Sequence, residues 1–383
     1  MRANVATLHI VTPEYPPMPG GVADYTHLIA QKLAQAGDVV HVWCPPNTVP
    51  APADLIQVHA DCGHFGSADL ARISTLLDRF EAPRRLLVQW VPHGYGFRSM
   101  NLRFCYWLWN RSRLGDHVEL MVHEPYLAFG EGTWRQDAAA VVHRAMTIVL
   151  LQAATRVWVA IPAWEAKWKP YTLGRSIPFT WLPISNGLPL PDLQAVNDVR
   201  TRLEASGQPL IGHFGTYGAP VASLLFEMLE RLLATLSTPR VLLMGIGGEE
   251  FRTALLKRHP EYAHRIIATG RLTDASLAAN VAACDVLVQP YPDGVSSRRT
   301  TAMAGLHLEV PVVTTTGPLT EEFWETSRAV RLSRVGDWGT FVDHVDQLLR
   351  DRGERARQAA SGRRFYDEMF DVGRTITALR TAA

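Results

Sequence analysis

The sequence predicts an α/β protein made of two doubly wound domains, each built on a parallel sheet. At ~150 residues per domain, the 383 residues suffice for two or three domains. Short apolar runs rich in β-branched residues alternate with segments of helical period along the chain, the pattern of parallel strands joined by helices. A Pro-rich and then polar stretch separates two such series. We therefore expect an N-terminal domain at 1–187, a linker at 188–207, a second domain at 208–360 and a terminal helix at 361–383.

The first half opens with a βαβ unit. Residues 6–13 (ATLHIVTP) form a short apolar run closed by proline, and a loop with Gly20 and Gly21 follows. Residues 24–37 then show helical spacing, and residues 39–45 return as a strand. Such a unit favours a parallel sheet covered on both faces. The later elements predicted in this half are strands at 85–92, 117–125, 156–164 and 179–187 and helices at 100–110 and 135–154.

The second half alternates more regularly. Its predicted strands lie at 209–215, 240–247, 265–270, 285–291 and 310–316. Its predicted helices lie near 221–236, 249–259, 274–283, 299–307 and 319–326. In open parallel sheets, ligands bind at the carboxyl edge of the strands, so we expect the functional residues in the loops that follow the strands.

Composition excludes several classes of protein. The 38 Lys and Arg residues against 37 Asp and Glu give a formal charge of +1, which argues against a general nucleic-acid binder. The four cysteines form no CxxC pair and have no nearby histidine at ligand spacing, so we expect free, mostly buried thiols in a reducing compartment. The first apolar run is too short for a signal peptide, and no stretch reaches the ~18 apolar residues of a membrane span. These observations favour a cytoplasmic protein.

Residues 291–305 (YPDGVSSRRTTAMAG) form a strand-to-helix turn with the chemistry of an anion site. The first amides of a helix lack intrahelical partners and attract phosphate. Gly294 allows close approach of the backbone, Ser296 and Ser297 offer hydrogen bonds, and Arg298 or Arg299 can meet phosphate with a bidentate fork. The alternative is an ordinary helix start with two solvated arginines.

Four stretches in order resemble family 4 glycosyltransferases. They are PEYPPMPGGVADYTHLIAQKLAQAGDVVHVW (13–43), MVHEP (121–125), ISNGLPL (184–190) and the segment from TGRLTD to PVVTT (269–315). The resemblance implies the GT-B fold, in which two Rossmann-like domains face a central cleft and the last helix packs back on the N-terminal domain. It also implies a retaining hexosyltransferase-like enzyme that takes a sugar from a nucleotide-diphosphate donor, with no metal and no further cofactor.

The resemblance also assigns site residues. His123 and Asp293 match the catalytic positions. The expected donor and phosphate contacts are Gly20, Gly21, Gly215, Thr216, Gly294, Val295, Ser296, Ser297, Arg298 and Arg299. The expected nucleoside contacts are Gly270, Arg271, Leu272 and Thr301. The aromatic and arginine-rich composition of segment 93–113, rather than the resemblance, suggests His93, Tyr95 and Trp107 as acceptor contacts.

Two positions depart from the family pattern. Thr301 stands where the family usually has a carboxylate that binds ribose, and a hydroxyl cannot replace two charged acceptors. Thr216 and uncharged residues stand where an Arg and a Lys usually hold the phosphates. Arg298 and Arg299 are our candidates for the missing positive charge.

The acceptor is expected to be a glycan, a lipid-linked glycan or a small molecule, as in polysaccharide or glycoconjugate biosynthesis. The segment 93–113 is rich in arginine and tryptophan, which suits an anionic or lipid-linked acceptor and peripheral contact with the inner face of a membrane. Half-buried tryptophans are the alternative. Two other functions stay open: a non-catalytic protein that binds a nucleotide sugar or glycan, and a nucleotide-sugar epimerase.

Overall fold

The computed structural model describes residues 6–46, 55–130, 132–205 and 207–382. The chain divides into two compact units. Unit 1 comprises residues 1–184 together with 372–383, and unit 2 comprises residues 185–371. Each unit contains one sheet whose strands are all parallel, so the α/β class and the doubly wound pattern predicted from the sequence are confirmed.

In its described residues, unit 1 has seven strands with helices between them. The strands are β1 (Thr7–Val11), β2 (Val39–Trp43), β3 (Ile56–His59), β4 (Arg85–Trp90), β5 (His117–Val122), β6 (Ala154–Val159) and β7 (Phe179–Trp181). The helices are α1 (Gly21–Gln35), α2 (Ser67–Leu77), α3 (Leu102–Arg113), α4 (Trp134–Ala153) and α5 (Ala163–Trp168). The sheet order is β3-β2-β1-β4-β5-β6-β7. The order reverses between β1 and β4, and the chain leaves both strands at the same edge because they are parallel.

Unit 2 has six strands in the order β10-β9-β8-β11-β12-β13. They are β8 (Leu210–Phe214), β9 (Arg240–Met244), β10 (Ile266–Ala268), β11 (Val286–Gln289), β12 (Val312–Thr316) and β13 (Arg331–Arg334). Its helices are α6 (Leu193–Arg202), α7 (Ala219–Thr235), α8 (Gly248–Arg258), α9 (Asp274–Ala282), α10 (Thr300–His307), α11 (Glu322–Ser327), α12 (Trp338–Arg350) and α13 (Arg352–Met369). Here the order reverses between β8 and β11.

The core of unit 2 explains why α7 and α12 form. Leu225, Leu229 and Leu232 repeat at helical spacing and are buried, and Phe341 and Val345 of α12 belong to the same apolar cluster with strand residues of the sheet. Burying one apolar face of each helix against the sheet fixes the strands, and hence the loops at their carboxyl ends.

Residues 188–207, expected as a linker, contain a helix. Asp192 caps α6 by accepting a hydrogen bond from the amide of Ala195 at 2.7 Å. Arg200 donates to the carbonyl of Ala283 at 2.6 Å and so attaches the helix to unit 2. The segment reads as polar because only Val199 of α6 is buried.

The terminal segment 361–383, expected as one helix, is two. Helix α13 ends at Met369, and α14 (Val372–Thr381) follows after a break at residues 370–371. Helix α14 belongs to unit 1, where Arg380 Nε lies 3.1 Å from a carboxylate oxygen of the buried Asp38. Because α13 is mostly polar, no apolar pattern in the sequence marks the residue at which it begins.

All four cysteines are free and buried.

No helix within the described ranges is both long and apolar enough to cross a membrane.

Candidate functional site

The candidate site of unit 2 lies where the strand order reverses. Residues 290–299 follow β11, and Gly215 and Thr216 follow β8, so both segments leave the carboxyl edge of neighbouring parallel strands. We call residues 291–299 the arginine loop. This is the edge at which open α/β sheets bind ligands.

Asp293 holds both arginines of this loop. Arg298 Nη2 donates to Asp293 Oδ2 at 2.5 Å, and Arg299 Nη2 donates to Asp293 Oδ1. The guanidinium carbon of Arg299 lies 4.5 Å from the centre of the Tyr291 ring. Two cations around one carboxylate leave a net positive charge, which is the requirement for attracting an anionic group.

Gly294 is required by the conformation of the loop. Its φ of 84° lies in the left-handed region, which side chains rarely adopt. A Cβ there would also overlap Thr320 Oγ1 and the backbone nitrogen of Gly317. The bare backbone therefore packs directly against the loop that follows β12.

The three residues after Gly294 pack against β12 and the loop that follows it. Val295 is buried and its amide donates to the carbonyl of Thr315 at 2.8 Å. Ser296 is fully buried, and its hydroxyl has no partner in the parts of the chain that the structure describes. The amide of Ser297 donates to Glu321 Oε1 at 3.0 Å, and its hydroxyl donates to the same oxygen at 2.5 Å. A protein carboxylate thus accepts the hydrogen bonds that Ser297 was expected to donate to an anion.

Two opposing effects act on the pKa of Glu321. Burial raises the pKa of this carboxyl, and the hydrogen bonds from Ser297 and from Trp324 Nε1, the latter at 2.9 Å, oppose that shift.

Thr301 is hydrogen-bonded within the site. Its Oγ1 lies 2.6 Å from the hydroxyl of Tyr291, and burial raises the pKa of Tyr291 to about 12. The position that usually holds an acidic residue in the resembling family is therefore a neutral hydroxyl pair.

Three glycines line the neighbouring strand ends of unit 2. The amide of Gly215 donates to the carbonyl of Met244 at 3.1 Å, and the amide of Gly245 donates to the carbonyl of Gly270 at 3.1 Å. A Cβ on Gly245 would overlap the carbonyl oxygen of Gly215. Thr216 is exposed beside this row. The backbone is accessible here because side chains are excluded.

The two residues after Gly270 face outward. Arg271 is exposed and Leu272 is half-buried. Gly270 has a φ of 62°, so it forms a turn at the end of β10 that favours glycine.

The candidate site of unit 1 begins with the loop before α1. The Glu14 carboxylate accepts hydrogen bonds from the amides of Val22 and Ala23, both at 3.1 Å, and so caps the helix. A Cβ on Gly20 would overlap this carboxyl group, whereas a Cβ on Gly21 would meet nothing within 4 Å. The structure thus explains Gly20 by a contact within the chain and places no such demand on Gly21.

His123 follows β5 and is almost fully buried. Its Nε2 lies 2.7 Å from Gln89 Oε1, and its carbonyl accepts a hydrogen bond from Trp164 Nε1 at 2.9 Å. The ring of Tyr25 packs edge-on against it, with centroids 5.2 Å apart. Burial lowers the pKa of His123 to about 3, so the imidazole is neutral at physiological pH.

The three expected acceptor residues differ in exposure. His93 is exposed, with Nδ1 3.6 Å from Glu124 Oε2. Tyr95 is fully buried and donates to the carbonyl of Gln89 at 2.7 Å, and Trp107 is buried with Nε1 donating to Ser74 Oγ at 2.7 Å. Tyr95 is therefore a fully buried core residue and Trp107 is only 8% exposed, which disfavours the acceptor contacts expected for both.

Four residues of these sites were not among our candidates. Glu14 stands six positions before Gly20, and an acid preceding a Gly-Gly helix start is a recognisable capping signal. Gln89, Tyr291 and Glu321 gave no comparable signal, because their partners lie 34, 10 and 24 positions away in the sequence.

Comparisons with known proteins agree with this architecture. Residues 208–351 match the family model of glycosyl transferases group 1. Sucrose-phosphate synthase from Thermosynechococcus elongatus superimposes with a TM-score of 0.73 at 15% identity, over 99% of this chain and 100% of that one. The chain has the GT-B fold.

Other GT-B structures are similar to the same extent. HepE of Anabaena, in complex with UDP and glucose, has a TM-score of 0.68 at 13% identity, over 98% of this chain and 99% of that one. WaaG, a glycosyltransferase involved in lipopolysaccharide biosynthesis, has a TM-score of 0.70 at 14% identity, over 99% of this chain and 100% of that one. Among curated proteins, none matches the sequence of this chain.

Proposed function

We propose that this protein is a glycosyltransferase that moves a sugar from a nucleotide-diphosphate donor to a hydroxyl acceptor. The observation that carries the proposal is the arginine loop at the strand-order reversal of unit 2, inside the segment similar to glycosyl transferases group 1. Its two guanidinium groups, its glycine and the start of α10 together form a cationic edge suited to a diphosphate.

The proposed role of the arginines is to stabilise the leaving group. As the bond from the sugar to the diphosphate breaks, negative charge gathers on the phosphates, and fixed cationic donors lower the barrier. Arg298 and Arg299 would exchange their bonds to Asp293 for bonds to phosphate. Asp293 would then be free to accept hydrogen bonds from the sugar and to stabilise positive charge at the anomeric carbon.

Retention of configuration and independence of metal belong to the same proposal. In a front-face reaction the departing phosphate accepts the acceptor proton, so no second carboxylate is needed for that step. Since the arginines supply the positive charge, a chelator should leave the rate unchanged. The anomeric configuration of the transferred sugar, read by proton NMR, tests retention.

Nucleotide binding is the first experiment. We would titrate UDP, GDP, ADP and CDP calorimetrically, beginning with UDP because HepE was crystallised with it. Arg298→Ala and Arg299→Ala should weaken binding of the diphosphate at least ~10-fold, about 1.4 kcal/mol, and leave binding of the matching nucleoside unchanged. Arg350→Ala is the matched control, because Arg350 is also ion-paired but lies on the exposed face of α12.

Two outcomes would redirect the proposal. Equal losses for the diphosphate and the nucleoside would remove the arginines from phosphate binding. Tight nucleotide binding without donor turnover, over a panel of acceptors, would favour the non-catalytic alternative.

We propose that the acceptor is presented at an anionic membrane surface through the outer face of α3. Leu102, Tyr106, Trp109 and Arg113 repeat at helical spacing there, and none of them is buried. Arg103 lies over the ring of Phe97, and Arg113 lies over the ring of Trp109. Residues 97–114 contain no Asp or Glu. An aromatic and cationic face without acids complements anionic lipid.

Vesicle sedimentation tests this part. The protein should sediment with vesicles containing anionic lipid and not with purely zwitterionic ones, and Tyr106→Glu together with Arg113→Glu should abolish the difference. Equal recovery of wild type and variant would refute the membrane surface while leaving the donor site untouched.

A further inference from the structure

Gln89 and His123 form a buried hydrogen-bonded pair. The group of Gln89 that faces the ring determines which ring nitrogen of His123 carries the proton. Gln89 is the fifth residue of β4 and is fully buried, and His123 is the first residue after β5. The amide of His123 donates to the carbonyl of Trp90 at 3.0 Å, which extends the β4–β5 ladder and fixes the backbone on both sides of the pair.

A neutral imidazole carries a single N–H, so its two nitrogens differ in what they can do. Burial lowers the pKa of His123 to about 3, and among the described residues no charged group opposes that shift. The nitrogen that faces Gln89 is Nε2, at 2.7 Å. Whichever role Nε2 takes, donor or acceptor, Nδ1 has the opposite role.

The amide of Gln89 can meet Nε2 in two ways, because half a turn about its last bond exchanges oxygen and nitrogen. With Oε1 toward the ring, His123 donates from Nε2, and Gln89 Nε2 has no partner among the described residues. Two N–H donors are then buried unpaired. With the nitrogen toward the ring, one of those two donors is satisfied, and the groups left unpaired are one N–H and the carbonyl oxygen instead of two N–H groups.

The second arrangement is the less costly one. Buried N–H groups without partners are rarer in proteins than under-satisfied carbonyl oxygens, which reflects the cost of leaving a donor unpaired. We propose that Gln89 donates to Nε2 of His123 and thereby holds the ring in the neutral Nδ1–H tautomer. Gln89 is then a positioning residue, and His123 offers a hydrogen-bond donor at Nδ1 rather than a base.

This inference rests on the proposed function only for its chemical consequence. If His123 contacts the donor sugar, it donates a hydrogen bond to a sugar oxygen, and the rate should not follow a titration of this ring above pH 5. The tautomer itself is independent of any activity.

Nitrogen NMR of the protein labelled with ¹⁵N-histidine reads the tautomer directly, and the protein contains its own references. His213 Nδ1 lies 2.8 Å from the carbonyl of Val288, which can only accept, so His213 is the Nδ1–H standard. His143 Nε2 lies 2.8 Å from the carbonyl of Ser99, while its Nδ1 accepts from the amide of Leu127 at 3.3 Å, so His143 is the Nε2–H standard. Signals are assigned by replacing each histidine with Gln in turn.

We expect the two nitrogen shifts of His123 to match the pattern of His213. In Gln89→Glu, a carboxylate that can only accept should move them to the pattern of His143 or to that of the charged ring. Gln89→Met removes both hydrogen-bonding groups and should give a mixture of tautomers. A wild-type pattern like that of His143 would overturn the proposal, and so would a pattern unchanged in Gln89→Glu.

The rate of sugar transfer adds a second readout. If the proposed function is correct, Gln89→Glu should lower kcat ~10-fold or more with little change in KM, while Gln89→Met should lose less. A protein with the expected tautomer and no transfer activity would refute the proposed function and leave the Gln89 inference standing.

Discussion

The carboxylate of Glu321 accepts hydrogen bonds from both the amide and the hydroxyl of Ser297, 24 positions earlier in the chain. This contact joins the loop after β12 to the arginine loop after β11. It uses the Ser297 amide and hydroxyl for a contact within the chain, and it restrains the residues between Gly294 and Arg298.

Replacing Glu321 should therefore affect stability and nucleotide binding together. Glu321→Ala removes the carboxylate that accepts from the Ser297 amide and from Trp324 Nε1, and we expect a loss of about 2–4 kcal/mol in the free energy of unfolding. Glu321→Gln keeps an acceptor oxygen and should lose less than half of that. Urea denaturation measures both variants, and equal stability of Glu321→Ala and wild type would show that the contact contributes nothing.

The position of the arginine loop was predictable, but its ion pairs were not. Apolar residues 286–289 and the helical pattern from residue 300 mark a strand and a helix, and the turn between them has to lie at the carboxyl edge of a parallel sheet. Whether Arg298 and Arg299 face solvent or share Asp293 depends on rotamers, which local sequence does not determine. Glu321 lies beyond an intervening helix and strand, so only the folded sheet brings it to Ser297.

The loop before α1 offers a sharper test of local packing. Gly20→Ala places a methyl group against the Glu14 carboxyl, which must leave the amides of Val22 and Ala23, and we expect a loss of about 1–2 kcal/mol. Gly21→Ala is the matched control, because its Cβ meets nothing and alanine favours the helix by up to about 1 kcal/mol.

A double-variant cycle separates this explanation from a general intolerance of the loop. In a Glu14→Ala background, Gly20→Ala should cost nothing further, because the cap is already lost. Additive losses would mean that Gly20 is required for another reason.

Arg111 and Arg113 stand two positions apart on α3, but substitution should lower the stability of the protein strongly at Arg111 and hardly at all at Arg113. Arg111 is buried, with Nε donating to Asp116 Oδ2 at 2.7 Å and Nη1 donating to Asp78 Oδ1 at 2.9 Å. Arg111→Leu leaves the buried Asp116 short of a partner, so we expect a loss of about 3 kcal/mol. Arg113→Ala changes an exposed side chain and should stay within about 0.5 kcal/mol. Similar midpoints of urea unfolding for the two variants would contradict this.

The sequence contains part of this distinction. Phe104, Leu108 and Arg111 follow one another at helical spacing, so the apolar stripe that predicts α3 places Arg111 on its inward face. An arginine on that face requires buried carboxylates, and their identity could not be read from the pattern: Asp78 follows α2 and Asp116 precedes β5. The burial of Tyr95 could not be predicted for the same reason. Its hydroxyl donates to the carbonyl of Gln89, and only the folded chain brings the two groups together.

Acid should destabilise unit 1 through three neighbouring histidines. The rings of His9 and His41 stack with centroids 4.8 Å apart, and His41 Nδ1 lies 3.0 Å from His59 Nε2. Burial lowers the pKa of His9 to about 3 and that of His41 to about 4, with further lowering by the neighbouring histidines, and burial lowers the pKa of His59 as well. Arg84 and Arg111 add positive charge near His9.

The direction of this pH effect on the free energy of unfolding depends on which state, folded or unfolded, binds more protons. The unfolded chain protonates these rings near pH 6.5. The folded chain keeps His9 and His41 neutral until the pH approaches 4 or below, and it protonates His59 at a lower pH than the unfolded chain does. Stability is therefore full above pH 6.5 and falls as the pH drops toward 4, by up to about 1.4 kcal/mol per pH unit for each ring. Urea unfolding between pH 7.5 and 4.5 measures the slope, a range above the ordinary carboxyl pKa values near 4. His41→Asn should make that slope shallower by up to about 1.4 kcal/mol per pH unit, and an unchanged slope would show that His41 takes up its proton at the same pH in the folded and the unfolded chain.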